Sequence, residues 1–98
     1  MIVRIFRVVI YEDKIEQFKS FMLDTAMPLM RQQEGLVSIQ PCLPRPETPT
    51  EFCLVMVWDS LEALVAFAGE DWRRPHIHPD EEGIVRDRFL HHYELAAA

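Results

Sequence analysis

The sequence lacks any apolar run long enough to span a bilayer, which takes about 20 residues. Its first stretch, MIVRIFRVVIYED, is interrupted by Arg4 and Arg7 and lacks a small-residue cleavage site, so we interpret it as a strand and not as a signal peptide. It also lacks a basic excess, because 16 acidic residues stand against 10 basic ones and the net charge is -6. A nucleic-acid-binding protein normally presents a basic face. These absences predict a cytoplasmic protein that binds neither a membrane nor nucleic acid.

Cysteine is scarce as well. Cys42 and Cys53 are the two cysteines of the chain, and they do not form a CxxC pair. This spacing argues against a zinc site built on thiolates. In a cytosolic protein we expect both thiols to stay reduced.

What is present fits one small domain over residues 1–98, with 49% hydrophobic residues to build its core. Runs rich in β-branched and aromatic residues predict strands over 2–11, 36–43, 50–58 and 86–95. Apolar residues that recur every three or four positions predict helices over 12–34 and 59–69. Pro28 lacks a backbone N–H, so we expect it to kink or divide the first helix. Asp59 or Ser60 is expected to cap the second helix.

The order β-α-β-β-α-β predicts an α+β, ferredoxin-like fold, with an antiparallel sheet and both helices on one face. The proline-rich segment 44–49 is expected to be the loop between the second and third strands. Pairing these strands around it predicts that Cys42 faces Cys53, Leu43 faces Phe52, and Ile39 faces Met56. The two thiols would then be close enough to bridge under oxidation.

The sheet face that the helices leave uncovered predicts a homodimer. The first strand is apolar on both sides, which indicates that both of its faces are covered. Each large apolar side chain left in water forgoes roughly 1.5–3 kcal/mol, so half a dozen would forgo on the order of 10 kcal/mol. Two copies that stack sheet against sheet would recover this energy; the alternative is a monomer with a partly wet sheet.

Several local patterns follow one another in a familiar order. They are Pro28 with LMRQQEG, the strand end VMVWDS before LEALVAF, then HPDEE, and the final HHYEL. Over residues 2–95 the chain resembles the antibiotic biosynthesis monooxygenase domain of the dimeric α/β-barrel superfamily. The resemblance implies a homodimer whose two sheets form a barrel, with a ligand cavity between the sheet and the helices or beside the barrel. Some members oxygenate aromatic phenols with O₂ and without metal, flavin or haem, others degrade haem, and others have different or no assigned activities.

The segment HIHPDEE poses the question of a metal site. His76, His78 and Glu82 have the spacing with which cupin barrels hold a metal, but the bracketing prolines and the helical periodicity elsewhere argue against a cupin. Two imidazoles and a carboxylate in a loop remain an alternative site for zinc or iron. The favoured interpretation is a solvated loop without metal, in which residues 80–82 begin a helical turn.

His76 or His78 is the candidate catalytic base. Oxygenation without a cofactor requires that a phenol or enol lose a proton, after which its electron-rich anion passes an electron to O₂. Trp58, Phe67 and Trp72 are candidates to line the pocket for a small aromatic ligand. Core packing is the alternative for Trp58 and Phe67.

Two pairs of polar residues lie on apolar strands and must point to opposite faces. His91 and His92 form one pair; the sequence leaves open which of them reaches the cavity, and His92 is the candidate. Arg4 and Arg7 form the other. A buried arginine needs a partner, either an anionic substrate or an acid of a second subunit, and Arg7 is the candidate ligand-binding residue.

The haem-degrading branch of the resembled family carries an Asn on the first strand, a Trp in the second helix and a His just after it. The first strand here has no Asn, and Phe67 stands where the Trp is expected. Only His76 or His78 remains as a possible haem ligand. The sequence therefore predicts an oxygenase without a cofactor, with a non-catalytic ligand-binding or stress-related homodimer as the alternative and a haem protein as a weaker one.

Overall fold

The computed structural model describes residues 1–75 and 77–96, with Asp80 described by its backbone alone. Four strands form an antiparallel sheet: β1 (Ile2–Ile10), β2 (Leu36–Cys42), β3 (Glu51–Trp58) and β4 (Val85–Glu94). Their spatial order is β2-β3-β1-β4. The helices lie between β1 and β2 and between β3 and β4, so the predicted α+β, ferredoxin-like fold is confirmed.

The predicted hairpin register is confirmed at two of its three pairs. Cys42 faces Cys53 and Ile39 faces Met56. The predicted pair of Leu43 with Phe52 is not part of the ladder, because β2 ends at Cys42. Pro44 follows Leu43, and a proline offers no N–H to a ladder and restricts the residue before it.

The first helical region is divided, as Pro28 predicts, but over a longer stretch than a kink. A 3₁₀ turn (Glu12–Lys14) leads into α1 (Ile15–Ser20), a π-helical segment (Phe21–Ala26) and α2 (Met27–Met30). The N–H of Met27 donates to the carbonyl of Met22, five residues back. In an α-helix the ring of Pro28 would clash with the carbonyl of Asp24, so the wider π geometry before the proline relieves this clash.

The second helix, α3 (Leu61–Ala68), begins and ends where the sequence signals predict. Ser60, not Asp59, is the capping residue, since its Oγ accepts a hydrogen bond from the N–H of Ala63 at 3.1 Å. Gly35 lies against this helix with φ +83°, and a Cβ there would overlap that of Ala63. Only glycine therefore allows this close approach before β2.

The helical turn expected to begin at residues 80–82 forms one residue earlier in the chain. The structure has one 3₁₀ turn over Pro79–Glu81, and β4 begins at Val85, which pairs with Ile10. Gly83, at φ +76°, ends the turn. None of the helices in the described ranges is both long and apolar enough to cross a membrane.

The core consists of two clusters on the helix-covered face of the sheet. The larger cluster contains Val8, Ile10, Phe18, Met22, Met27, Phe52, Ile84 and Val85. The smaller cluster contains Met56, Trp58 and Leu64. Phe6, Met30 and Leu54 pack against both clusters, so they mark the junction between them.

The opposite face, called here the outer face, carries the other set of alternating side chains. It presents Val3, Ile5, Arg7 and Val9 from β1, Cys53, Val55 and Val57 from β3, and Phe89, His91 and Tyr93 from β4. None of the described helices covers it. Phe89 is 40% exposed and Tyr93 55% exposed. The outer face is thus the surface on which the second subunit of the expected homodimer would dock. The homodimer itself stays a prediction.

Candidate functional site

A cavity of about 280 Å³ opens at the junction of the two core clusters, between the sheet and the helices. Most of its wall is apolar. The sheet contributes Phe6, Leu54 and Met56, and residues 18–30 contribute Phe18, Phe21 and Met22 among others. Ligand pockets usually measure about 300–1,000 Å³, so this cavity suits a ligand of one or two aromatic rings.

Arg4 places a positive charge in this apolar wall. It lies on β1, lines the cavity and is only 3% exposed. One nitrogen, Nη1, donates to the carbonyl oxygen of Trp72 at 2.6 Å and contacts Nε2 of His92 at 3.0 Å. Burial lowers the pKa of the guanidinium to about 10, which still leaves it charged at neutral pH. Among the side chains that the structure describes, which exclude those of His76 and Asp80, no carboxylate lies within 4 Å of it.

His92 is tied to Arg4 as a hydrogen-bond acceptor. A guanidinium can only donate, so Nε2 of His92 must carry a lone pair and its ring is neutral. Burial, together with the charges of Arg4, His91 and Arg73, lowers the pKa of His92 and favours this neutral form. The ring also meets Trp72 edge to face, with centroids 4.9 Å apart.

His78 and Glu81 form a second polar group on the cavity wall. The backbone N–H of His78 donates to Oε2 of Glu81 at 2.7 Å, and Nε of Arg88 lies 4.0 Å from Oε1. Glu81 is only 4% exposed. The His78 ring packs against Phe21, with centroids 5.2 Å apart. The carboxylate thus fixes the loop that presents the imidazole to the cavity.

The structure brings some of the sequence-predicted residues to this site. His78 and Phe67 line the cavity. His92 and Trp72 adjoin it through Arg4. Of the two histidines on β4, it is therefore His92 that lies on the cavity side, while His91 is exposed on the outer face.

Other predicted residues are not part of the cavity wall. Trp58 is fully buried and stacks on Phe67 at 5.1 Å, which is the core-packing alternative. Arg7 points to the outer face, where it pairs with Glu51 at 3.4 Å and lies over the ring of Phe89. Residues alternate between the two faces of a strand, so Arg4, and not Arg7, lies on the cavity side of β1. The prediction for His76 lies outside the described residues.

Glu81 is the residue that sequence reasoning missed. Residues 80–82 were expected to form a solvated acidic turn, but the 3₁₀ turn directs Glu81 inward, between His78 and Arg88. The acidic run DEEG carries no periodicity that would distinguish the buried carboxylate from its exposed neighbour Glu82. Among the described residues, no group of three or more His, Cys, Asp or Glu side chains has an arrangement that could hold a metal ion.

Comparison with known proteins identifies the family. A profile of the antibiotic biosynthesis monooxygenase family matches residues 1–78, most of the chain. The chain belongs to this family. A search of curated proteins gives no match.

Solved structures show the same fold at low identity. A protein from Deinococcus radiodurans, described as an antibiotic biosynthesis monooxygenase, is similar with a TM-score of 0.78 and 16% identity, over 100% of this chain and 95% of that one. One from Nitrosomonas europaea, described likewise, has a TM-score of 0.79 and 18% identity, over 99% and 100%. The haem degrader MhuD from Mycobacterium tuberculosis has a TM-score of 0.73 and 16% identity, over 100% and 98%.

The cavity formed by the described residues is smaller than haem. The MhuD structure holds two haems in its active site. The cavity of this family member, at about 280 Å³, lies at the low end of the range for ordinary small ligands. A tetrapyrrole with its propionates is larger than such a space, and the Phe21 ring already covers part of His78, the described candidate for an axial ligand.

Proposed function

We propose that this protein is a homodimeric monooxygenase that oxygenates a small aromatic substrate with one or two rings, without a metal or organic cofactor. The observation that carries the proposal is the cavity itself. It is largely apolar, and it places one buried cation, Arg4, and one imidazole, that of His78, in the same wall. Family membership supports the reaction class, and the cavity supports the substrate class.

The chemistry follows from these side chains. A dihydroxy-aromatic substrate packs among Phe6, Phe18 and Phe67, which exclude water. His78 accepts a phenolic proton, and the positive charge of Arg4 favours the resulting anion, since charges interact strongly in a water-poor site. The electron-rich anion then reacts with O₂ at a ring carbon.

The products balance without an external reductant. One oxygen atom of O₂ becomes bonded to a ring carbon of the substrate. The other leaves as water, with two hydrogens that the substrate supplies. A dihydroxynaphthalene and O₂ thereby give a hydroxynaphthoquinone and water. Uncatalysed autoxidation of the same substrate gives the unsubstituted quinone and hydrogen peroxide, so the two reactions are distinguishable by product.

The homodimer is part of the proposal. The outer face carries valines and an isoleucine on the two central strands, with two exposed aromatic residues on β4. Patches of this kind on small proteins mark association surfaces. A second copy would cover this face and leave the cavity, on the opposite face, open to substrate.

The test is oxygenation of 1,4-dihydroxynaphthalene with ¹⁸O₂. We expect one labelled oxygen in the naphthoquinone product and no accumulation of peroxide above that of a protein-free control. His78→Gln should lower kcat by about 10²–10⁴-fold, the usual contribution of a general base. Glu82→Gln, at an exposed position outside the cavity wall, is the control and should retain the rate. Saturable binding with no labelled product would instead indicate a non-catalytic ligand-binding protein.

A further inference from the structure

We propose that the edge of Arg4 formed by Nε and Nη2 is a carboxylate-binding site, so that the preferred ligand of the cavity is an aromatic carboxylate. This inference rests on the proposed function only in that the cavity holds a ligand. It adds which chemical group the preferred ligand carries. The same group would fix which end of the ligand lies at β1.

The hydrogen bonds of Arg4 leave that edge without a partner among the described residues. Both described hydrogen bonds use Nη1, one to the Trp72 carbonyl and one to His92. A guanidinium has five N–H donors, and those on Nε and Nη2 have no acceptor in the described part of the chain. These two nitrogens form the flat edge that binds both oxygens of a carboxylate in parallel.

The other sheet arginines show what Arg4 lacks. Arg7 has Glu51 at 3.4 Å on the outer face, and Arg88 has Glu81 at 4.0 Å on the helix side. Arg4 is more deeply buried than either. A buried charge with no opposite charge is strongly unfavourable, and an anionic ligand removes this penalty when it binds.

An acid of a second subunit is poorly placed to be this partner. Arg4 points to the helix-covered face of the sheet, together with Phe6 and Met56, while the second subunit is expected on the outer face. A ligand in the cavity, by contrast, contacts Arg4 directly. The apolar remainder of the wall matches the rings of the ligand, and the guanidinium edge matches its carboxylate.

The test compares 2-naphthoate with 2-naphthamide, which has nearly the same shape and no charge, by titration calorimetry at pH 8. Neither compound has an oxidisable hydroxyl, so the result does not depend on turnover. We expect naphthoate to bind at least about tenfold more tightly than the amide, as charge-assisted bidentate pairs are the stronger hydrogen bonds. Equal affinities, or binding of neither compound to the folded wild type, would overturn the site.

Variants locate the preference. Arg4→Gln should abolish the preference for naphthoate, and Arg4→Lys should keep it in weakened form, because lysine retains the charge and loses the planar edge. Arg86→Gln, an exposed arginine on β4, is the matched control and should leave the preference unchanged. A preference that survives in Arg4→Gln refutes the assignment to Arg4. If the ¹⁸O₂ test fails while this preference holds, the oxygenase proposal falls and the carboxylate site stands.

Discussion

Replacing Glu81 with alanine is expected to destabilise the fold far more than the acidic run around it would indicate. The side chain is 5% exposed, accepts the His78 N–H at 2.7 Å, and lies 4.0 Å from Nε of Arg88. Alanine would remove the acceptor that Glu81 offers to the His78 N–H and the negative charge that it places near Arg88. Nε of Arg88 is already a buried donor without a hydrogen bond in the described structure, so no other group compensates it.

The magnitude follows from these contacts. Breaking a buried ion pair by removing one partner costs about 3–5 kcal/mol. The Arg88 side chain is 21% exposed and the pair is long, so water screens part of this loss and the low end, about 3 kcal/mol, applies. Glu81→Gln keeps an oxygen acceptor for His78 and loses only the charge, so about half of that cost is expected.

Urea denaturation at one fixed protein concentration measures the effect. For a chain of this size the free energy of unfolding falls by about 1–1.5 kcal/mol per molar urea, so Glu81→Ala should lower the midpoint by about 2 M or more. Glu82→Ala is the control, because Glu82 is exposed and surface substitutions stay within about 0.5 kcal/mol. A Glu81→Ala midpoint equal to that of Glu82→Ala would refute the buried, structural role of this carboxylate.

Three further predictions concern the sheet. Ile5→Asp places a carboxylate at the middle of the outer face. Sedimentation should then show a folded monomer, with dimer affinity weakened on the order of 10³-fold. An unchanged dimer would place the interface elsewhere. Cys42 and Cys53 face each other in the ladder, with Cα atoms expected about 4.5–5.5 Å apart. Mild oxidation should therefore form a disulfide, after which neither thiol reacts with maleimide. Two thiols that still react would contradict the pairing. Burial, and after it the charge of Arg4, lowers the pKa of His92 in the folded protein. Its neutral form therefore contributes stability that is fully present above the unfolded pKa near 6.5. This contribution is lost as the pH falls through the folded pKa. NMR should therefore show His92 titrating at lower pH in the folded protein than in the urea-unfolded protein, and the reverse order would contradict the Arg4 contact.

The sheet was largely predictable because strands repeat every two residues. In β1 the apolar residues alternate around Arg4 and Arg7, which established that the two arginines point apart. Which of the two faces the helices would cover depends on long-range packing, and a single strand carries no signal of it. The sequence therefore offered no basis for placing Arg4 and not Arg7 on the cavity side, where the structure has it.

The helical region and the loop show two further limits. Pro28 signals that α-helical geometry must break, but the π-helical segment before it is one of several ways to do so, and the sequence does not distinguish among them. In the loop, Glu81 and Glu82 are chemically identical, and only the direction of the 3₁₀ turn buries one of them. Of the second polar group on the cavity wall, His78 was therefore predictable from the sequence, and Glu81 was not.

The most direct measurement of the central claim, that a small aromatic binds between the sheet and the helices, is NMR of protein carrying ¹³C-methyl methionine. Met22, Met30 and Met56 line the cavity, while Met1 is exposed and Met27 is buried away from it. Titration with 1,4-dihydroxynaphthalene, kept reduced without O₂, should shift the three cavity methyls and leave the other two in place. Shifts confined to Met1, or no shift of the cavity methyls at saturating ligand, would contradict the account.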